Sequence, residues 1–264
     1  MSIADKLTTI AENLVTIGEN EQKVYDAGYE KGNQTGNDNG YVQAYDDFWT
    51  AYHTNTEMAN GRHRFYGWEI NEKTFRPQKD FTVTDFYRMF RGTTGEFDLV
   101  ELCEKRGVKM VLKAATINSS MEVFGSSSVV RIGEVDLSVG TGNYWQGTFE
   151  RCTKLHTIEK LVLSEKVYPL SMFTSCFQLQ NLTIEGTIGE NGFNVQWSTK
   201  LSKASITSII NALSETTSGL TVTLSKTAVN NAFGINVDDA TTWGEGTEYY
   251  TLRHSKDNWS ISYI

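Results

Sequence analysis

The side chains that could do chemistry are few and poorly spaced for it. Four histidines, His53, His63, His156 and His254, are scattered, and none forms the His-x-x-x-His pair or Cys/His cluster that a metal ion needs. No metal site and no cofactor is expected. There is no Gly-x-Ser-x-Gly elbow for a nucleophilic serine, and the glycine-rich stretch 28–40 lacks the Lys-Ser/Thr ending that cradles phosphate. Glycoside hydrolysis needs only two carboxylates across one cleft, and 32 acidic residues leave that chemistry open. A solvated acidic surface carries the same residues, so a non-enzymatic chain is the expectation. Recognition suits the residue types better. Carbohydrate sites use flat aromatic faces with polar rims, and Trp145, Trp197, Trp243 and the Tyr249–Tyr250 pair fall in expected loops. The stretch from Gly234 to Ser255, with Asp238, Asp239, Trp243, Glu245, Tyr249 and Tyr250, reads as the longest loop and the first choice for a contact surface. The ordinary role of any one of these rings is to anchor its loop.

What must position such residues is a repeated unit. Val123-Phe124-Gly-Ser-Ser-Ser-Val-Val130, Thr148-Phe149-Glu-Arg-Cys152-Thr-Lys-Leu155 and Met172-Phe173-Thr-Ser-Cys176-Phe-Gln-Leu179 share one design, each leading into an apolar alternation. Phe149 and Phe173, Cys152 and Cys176, and Leu155 and Leu179 all stand 24 residues apart. One such unit cannot bury its apolar side alone, so neighbours must stack. The expected fold is α/β, a leucine-rich-repeat-like solenoid. Cys152 and Cys176 are then stacked thiols serving as small apolar groups, and with Cys103 they make an odd count that fits a reducing compartment.

The expected strands are 109–114, 134–138, 160–164 and 181–185, with Val135, Leu137, Leu161, Leu163, Leu182 and Ile184 facing inward. A helical turn is expected near Phe86–Phe90, a helix near 99–105 and another over 203–214, then a strand at 220–225 and a final edge strand within 259–264. Tyr41, Tyr45, Phe48, Trp49 and Tyr52 recur at helical spacing, and 62–80 reads as a cap over the first unit. Three parts result: 1–30, a helical oligomerisation or docking segment; 31–80, hinge, aromatic helix and cap; and 81–264, the stacked units with a C-terminal cap.

In the first part Ile3, Leu7, Ile10, Leu14, Ile17 and Val24 follow heptad spacing. Leu7 and Leu14 at a, with isoleucines at d, favour three or four strands over two, so a homotrimer is expected. A short amphipathic helix docked on its own chain satisfies the same pattern, because three heptads containing Gly18 are marginal in isolation. The net charge of −8 excludes a phosphate-binding face, hence no nucleic-acid partner is expected. No run approaches the roughly 18 apolar residues of a membrane span, so no membrane insertion is expected. The opening Met1–Ile10 lacks the pattern of a secretory signal, so synthesis in a cytoplasm without a signal peptide is expected.

At these residues the chain resembles leucine-rich-repeat proteins of the BspA-like type found among bacteriophage and prophage tail-associated proteins. Lys6-Leu-Thr-Thr-Ile-Ala-Glu-Asn13 with Val24-Tyr-Asp-Ala-Gly28 looks like their start. Tyr45-Asp-Asp-Phe-Trp49, Gly67-Trp68 and Thr74-Phe-Arg-Pro77 look like their connector, and Leu201–Ser214 with Leu224–Val229 like their last repeat. The resemblance implies a tail-fibre or baseplate component, located in the virion tail. Other tail proteins would be its partners, and a bacterial surface glycan or protein its receptor. A purely structural tail protein is the alternative in the same setting. A surface leucine-rich-repeat adhesin would need a secretion signal or wall anchor, and neither is visible.

Overall fold

The computed structural model describes residues 43–50, 64–115, 122–139 and 145–264. The heptad residues Ile3, Leu7, Ile10, Leu14, Ile17 and Val24, the stretch 28–40, Tyr41 and Tyr52 lie outside the described residues. The protein is α/β with a mainly parallel sheet. Helix α1 spans 43–50. Strand β1 (Phe81–Val83), β2 (Phe97–Asp98), helix α2 (Leu99–Glu104), β3 (Met110–Lys113), β4 (Val129–Asp136), β5 (Thr157–Leu163) and β6 (Asn181–Gly186) follow. The first sheet runs β1-β3-β4-β5-β6, and β2 pairs with β4 beside β3.

Parallel pairing follows from the unit length. Each unit of about two dozen residues returns the chain to the same edge, so successive strands point the same way. Ile132 aligns with Ile158 and Ile158 with Leu182; Val135 aligns with Leu161 and Leu161 with Ile184. All six residues expected to face inward are buried. The alternation is not uniform. β5 places two residues, Glu159 and Lys160, between inward Ile158 and Leu161, where β6 places only Thr183, and the register shifts there. Strands β4 and β5 also begin earlier than expected, at Val129 and Thr157.

Opposite the strands runs a column of phenylalanine rings. Phe65, Phe90, Phe124, Phe149 and Phe173 stack with centroids 5.1, 5.2, 5.9 and 5.4 Å apart and planes 22°, 1°, 15° and 17° from parallel. Phe193 continues the column at 5.5 Å, tilted, and Trp49 of α1 covers its first ring at 5.6 Å. The backbone around each ring repeats too. Residues two before and two after the ring have positive φ: Glu122 and Ser126, Gly147 and Arg151, Ser171 and Ser175, and at the first full unit Arg88 and Gly92. These left-handed positions wrap the chain around the ring and turn amides toward the neighbouring unit. Each Phe N–H thus donates to the carbonyl before the next ring: Phe90 to Val123, Phe124 to Thr148, Phe149 to Met172. Successive units are therefore hydrogen-bonded on both sides of the core.

Three residues after each ring stands a small side chain with a donor: Thr93, Ser127, Cys152 and Cys176. Cys152 Sγ donates to the Phe124 carbonyl (2.8 Å) and Cys176 Sγ to the Phe149 carbonyl (3.1 Å), while Thr93 and Ser127 hydroxyls meet at 2.6 Å. Ser127, Cys152 and Cys176 thus each bond to the unit before, Ser127 through the Thr93 hydroxyl and the cysteines through a ring residue's carbonyl. The longer gap between Phe90 and Phe124 has a cause as well: β2 and α2 are inserted there, with Asp98 capping the helix on Glu101 N–H. Phe86–Phe90 forms turns, not the expected helical turn.

The second half of the described chain closes the stack. Helix α3 (Lys203–Asn211), strand β7 (Leu220–Leu224), helix α4 (Lys226–Phe233), a 3₁₀ turn (Ala240–Thr242), helix α5 (Glu248–His254) and strand β8 (Trp259–Tyr263) complete it. The expected helix over 203–214 ends earlier, and 226–233, for which no element was expected, is helical between the Ser225 cap and Gly234 at φ 66°. Helix α3 takes the place of a strand beside β6. Leu182 N–H donates to Ser205 Oγ and Ile184 N–H to Ser208 Oγ, both at 2.8 Å, and the Ser205 hydroxyl donates on to the Gln180 carbonyl. Strands β7 and β8 pair in parallel as a second, two-stranded sheet. Isolated bridges from Ile188 to Leu213 and from Asn194 to Thr223 link the two halves.

Candidate functional site

Burial sorts the aromatic residues singled out from sequence. Trp145 is fully enclosed and Tyr249 is 1% exposed, so neither offers a face to a ligand. Tyr249 lies on α5 with its hydroxyl 2.5 Å from that of Tyr263. Burial, and secondarily that partner, push its pKa far above the ordinary phenol value. Trp243 is half-buried against Tyr249, and Tyr250 stacks on His254 at 3.9 Å. Asp238 pairs with Lys226 at 2.9 Å, and Asp239 caps the 3₁₀ turn through Thr241. The expected loop from Gly234 to Ser255 is therefore corrected: it folds as a 3₁₀ turn and helix α5, which lies against α3 and sets Tyr249 on Phe233 of α4 and Tyr263 of β8, because its aromatic residues serve the core. Its rings are anchors.

Trp197 is different. It is 43% exposed, Phe177 beside it is 42% exposed, and their rings meet edge to face at 6.0 Å. The pairing follows from the unit. Phe177 stands four residues after Phe173 and Trp197 four after Phe193, so both project from the same place on adjacent turns. The same column carries Thr153, Ser128 and Thr94 on earlier units, all small and polar. Sequence spacing held this signal, but Phe193 lacks the Cys or Ser three residues on, and its membership was missed.

The turns beneath the pair are fixed. Ser198 Oγ donates to the Cys176 carbonyl at 3.1 Å, tying one turn to the other, and Asn194 Oδ1 accepts from Gln196 N–H. Lys200 Nζ donates to Gln178 Oε1 at 2.5 Å, which sets an amine and an amide next to the rings. Burial pushes the Cys176 thiol below them up to about 12, so it stays protonated and is a packing group. The arrangement presents two aromatic edges and faces, a polar rim and a rigid base. It can hold the apolar face of a sugar ring or an apolar side chain.

The exposed side of the strands is occupied by its own charges. Arg131 pairs with Asp98 and Glu159, Lys160 with Glu134 and Glu185, and Lys113 with Asp136. Burial opposes ionisation of Asp136, but hydrogen bonds from Ser138 and the Lys113 ammonium outweigh it and hold the carboxyl below its ordinary range. The outward side of the strands is thus an ion-paired surface, with Asp136 itself nearly buried. A groove of about 410 Å³ lies between α2 and strands β3–β5, lined by Leu99, Val100, Cys103, Met110 and Ile132. Burial pushes the Cys103 thiol up to about 12 there as well. Among the described residues no three His, Cys, Asp or Glu side chains gather to hold a metal ion, and no helix is long and apolar enough to cross a membrane.

Comparison with protein families, curated proteins and solved structures finds no match to the chain.

Proposed function

We propose that this chain is a non-enzymatic recognition protein, built as a leucine-rich-repeat-like solenoid of the BspA type and carried on a phage or prophage tail fibre or baseplate. The observation that carries the reading is the exposed Phe177–Trp197 pair on adjacent, hydrogen-bonded turns. A stack of units presents equivalent positions in columns, and here one column changes from small polar residues to large aromatic ones. The neighbouring strand surface is neutralised by its own ion pairs, which leaves the turn surface as the adhesive one. The ligand that fits is a bacterial surface glycan whose sugar faces lie on the rings while hydroxyls meet Lys200 and Gln178. Copies joined through residues 3–24 would bind several such sites at once and gain by effective concentration.

The test is binding of the purified full chain to whole bacterial cells and to their extracted wall and capsule polysaccharides. Trp197→Ala and Phe177→Ala should each weaken binding about tenfold or more with melting temperature unchanged. Undiminished binding by the double variant overturns the site, and release of reducing ends from the polysaccharide overturns the non-enzymatic reading.

A further inference from the structure

The open edge of β8 offers a second, independent surface. Three hydrogen bonds fix which way its backbone groups point. Gly219 N–H donates to the Asn258 carbonyl, Ile264 N–H to the Leu224 carbonyl, and Lys226 N–H to the Ile264 carbonyl. In a parallel ladder the groups of alternate residues face the same neighbour, so even-numbered residues of β8 address β7. The N–H and C=O groups of Trp259, Ile261 and Tyr263 then face the other way. Trp259 N–H is taken by the Lys256 carbonyl; those of Ile261 and Tyr263 meet no acceptor among the described residues. The edge of β6 is handled differently, since Ser205 and Ser208 supply the acceptors a strand would supply. An unblocked edge of this kind is a template for another strand.

We propose that β8 pairs antiparallel with β8 of a second copy about a two-fold axis at Ile261, joining two chains into one continuous sheet. The available groups are centred on residue 261, so that axis sets Ile261 opposite its copy, with each donating to the other. Tyr263 then lies opposite Trp259 of the second chain. Composition favours a like partner. From Asn258 to Ile264 no side chain is charged, so self-pairing brings no like charges together although the chain carries a net charge of −8. Ser260 and Ser262, small and on the outer surface of the strand, meet across the axis without a clash. Between Asn258 and Ile264 there is no Lys or Pro to blunt the edge.

Proline separates this from a packing role. At position 261 it removes only the outward N–H, whereas at 262 it removes one that bonds β7. The full chain would be measured by light scattering and analytical ultracentrifugation. Ile261→Pro should halve the mass of the assembly, whatever number residues 3–24 set, while Ile261→Ala, which keeps the N–H, should leave it intact. As a readout free of folding effects, amide exchange of Ile261 and Tyr263 in the native chain should slow at least tenfold between dilute and concentrated protein. Equal masses for the proline and alanine variants, or amide exchange independent of concentration, would overturn the pairing. Loss of glycan binding by Trp197→Ala leaves this result untouched, so the two proposals fail separately.

Discussion

Phe90 and Phe124 lie face to face, ring centroids 5.2 Å apart and planes 1° from parallel, although 34 residues separate them and only 25, 24 and 20 separate the rings that follow, Phe149, Phe173 and Phe193. The extra chain, β2 and α2, is absorbed beside the sheet and does not disturb the column. Core geometry is therefore set by the ring and the two left-handed residues around it, not by unit length.

Removing a ring from the middle of the column should be costly. Phe149→Ala leaves a void between Phe124 and Phe173 and should destabilise the chain by about 3–5 kcal/mol in urea denaturation. Phe177→Ala, at the surface, should change stability by less than about 0.5 kcal/mol. Equal effects would mean that the column is not the core.

The positive φ of Arg151 and Ser175, 60° and 61°, is a position where an L side chain is strained. Glycine at either site should leave stability unchanged or raise it by up to about 1 kcal/mol, and Ser175→Val should lower it by more than about 1 kcal/mol. Thermal melts of the three variants decide the matter. Destabilisation by both glycines would show that the side chains, not the backbone, hold these turns.

Closure of the β6 edge rests on two hydroxyls. Ser205→Ala orphans the buried N–H of Leu182 and takes one of two donors from the Gln180 carbonyl, which keeps the Ser202 N–H, and about 1–3 kcal/mol should be lost. Ser208→Ala should cost less, because Ser208 is only half-buried. Amide exchange at Leu182 should accelerate in the first variant. Unchanged exchange would mean that α3 shields the edge without bonding to it.

Buried thiols predict alkaline sensitivity. Burial raises the Cys152 pKa well above its ordinary value and pushes Cys103 and Cys176 up to about 12, against about 8.5 for a free thiol. Between these values the unfolded chain has released protons that the folded chain keeps, so stability falls as pH rises. It should be level below about pH 8.5 and then decline by about 1.4 kcal/mol per pH unit for each thiol. Urea midpoints at pH 7, 9 and 10 test this, and a flat profile to pH 10 would contradict the thiols' burial.

Much of the architecture was legible because burial repeats. The 24-residue recurrence of Phe149, Cys152 and Leu155 located three strands and their inward residues, although two of the strands begin three to five residues earlier than expected. What sequence could not show was conformational. Arg88, Glu122, Ser171 and Arg151 carry no mark of a left-handed backbone, since the neighbouring turns impose it on ordinary side chains. Exposure was not legible: Trp197 reads from sequence just as Trp145 and Tyr249 do, because a buried ring and a displayed one have the same letter. Only the shared register with Phe177, one turn away, distinguishes Trp197. The helices at 226–233 and 248–254 were missed because their apolar faces are short and helped by capping residues, Ser225 and Thr247.

The central claim, that neighbouring turns are joined through one column of rings, is tested most directly by a double-mutant cycle on Phe149→Leu and Phe173→Leu, followed by urea denaturation. Rings 5.4 Å apart should give a coupling energy of about 0.5–1.5 kcal/mol, while the distant pair Phe90→Leu and Phe173→Leu should be additive. Additivity of Phe149 and Phe173 to within about 0.3 kcal/mol would contradict the account.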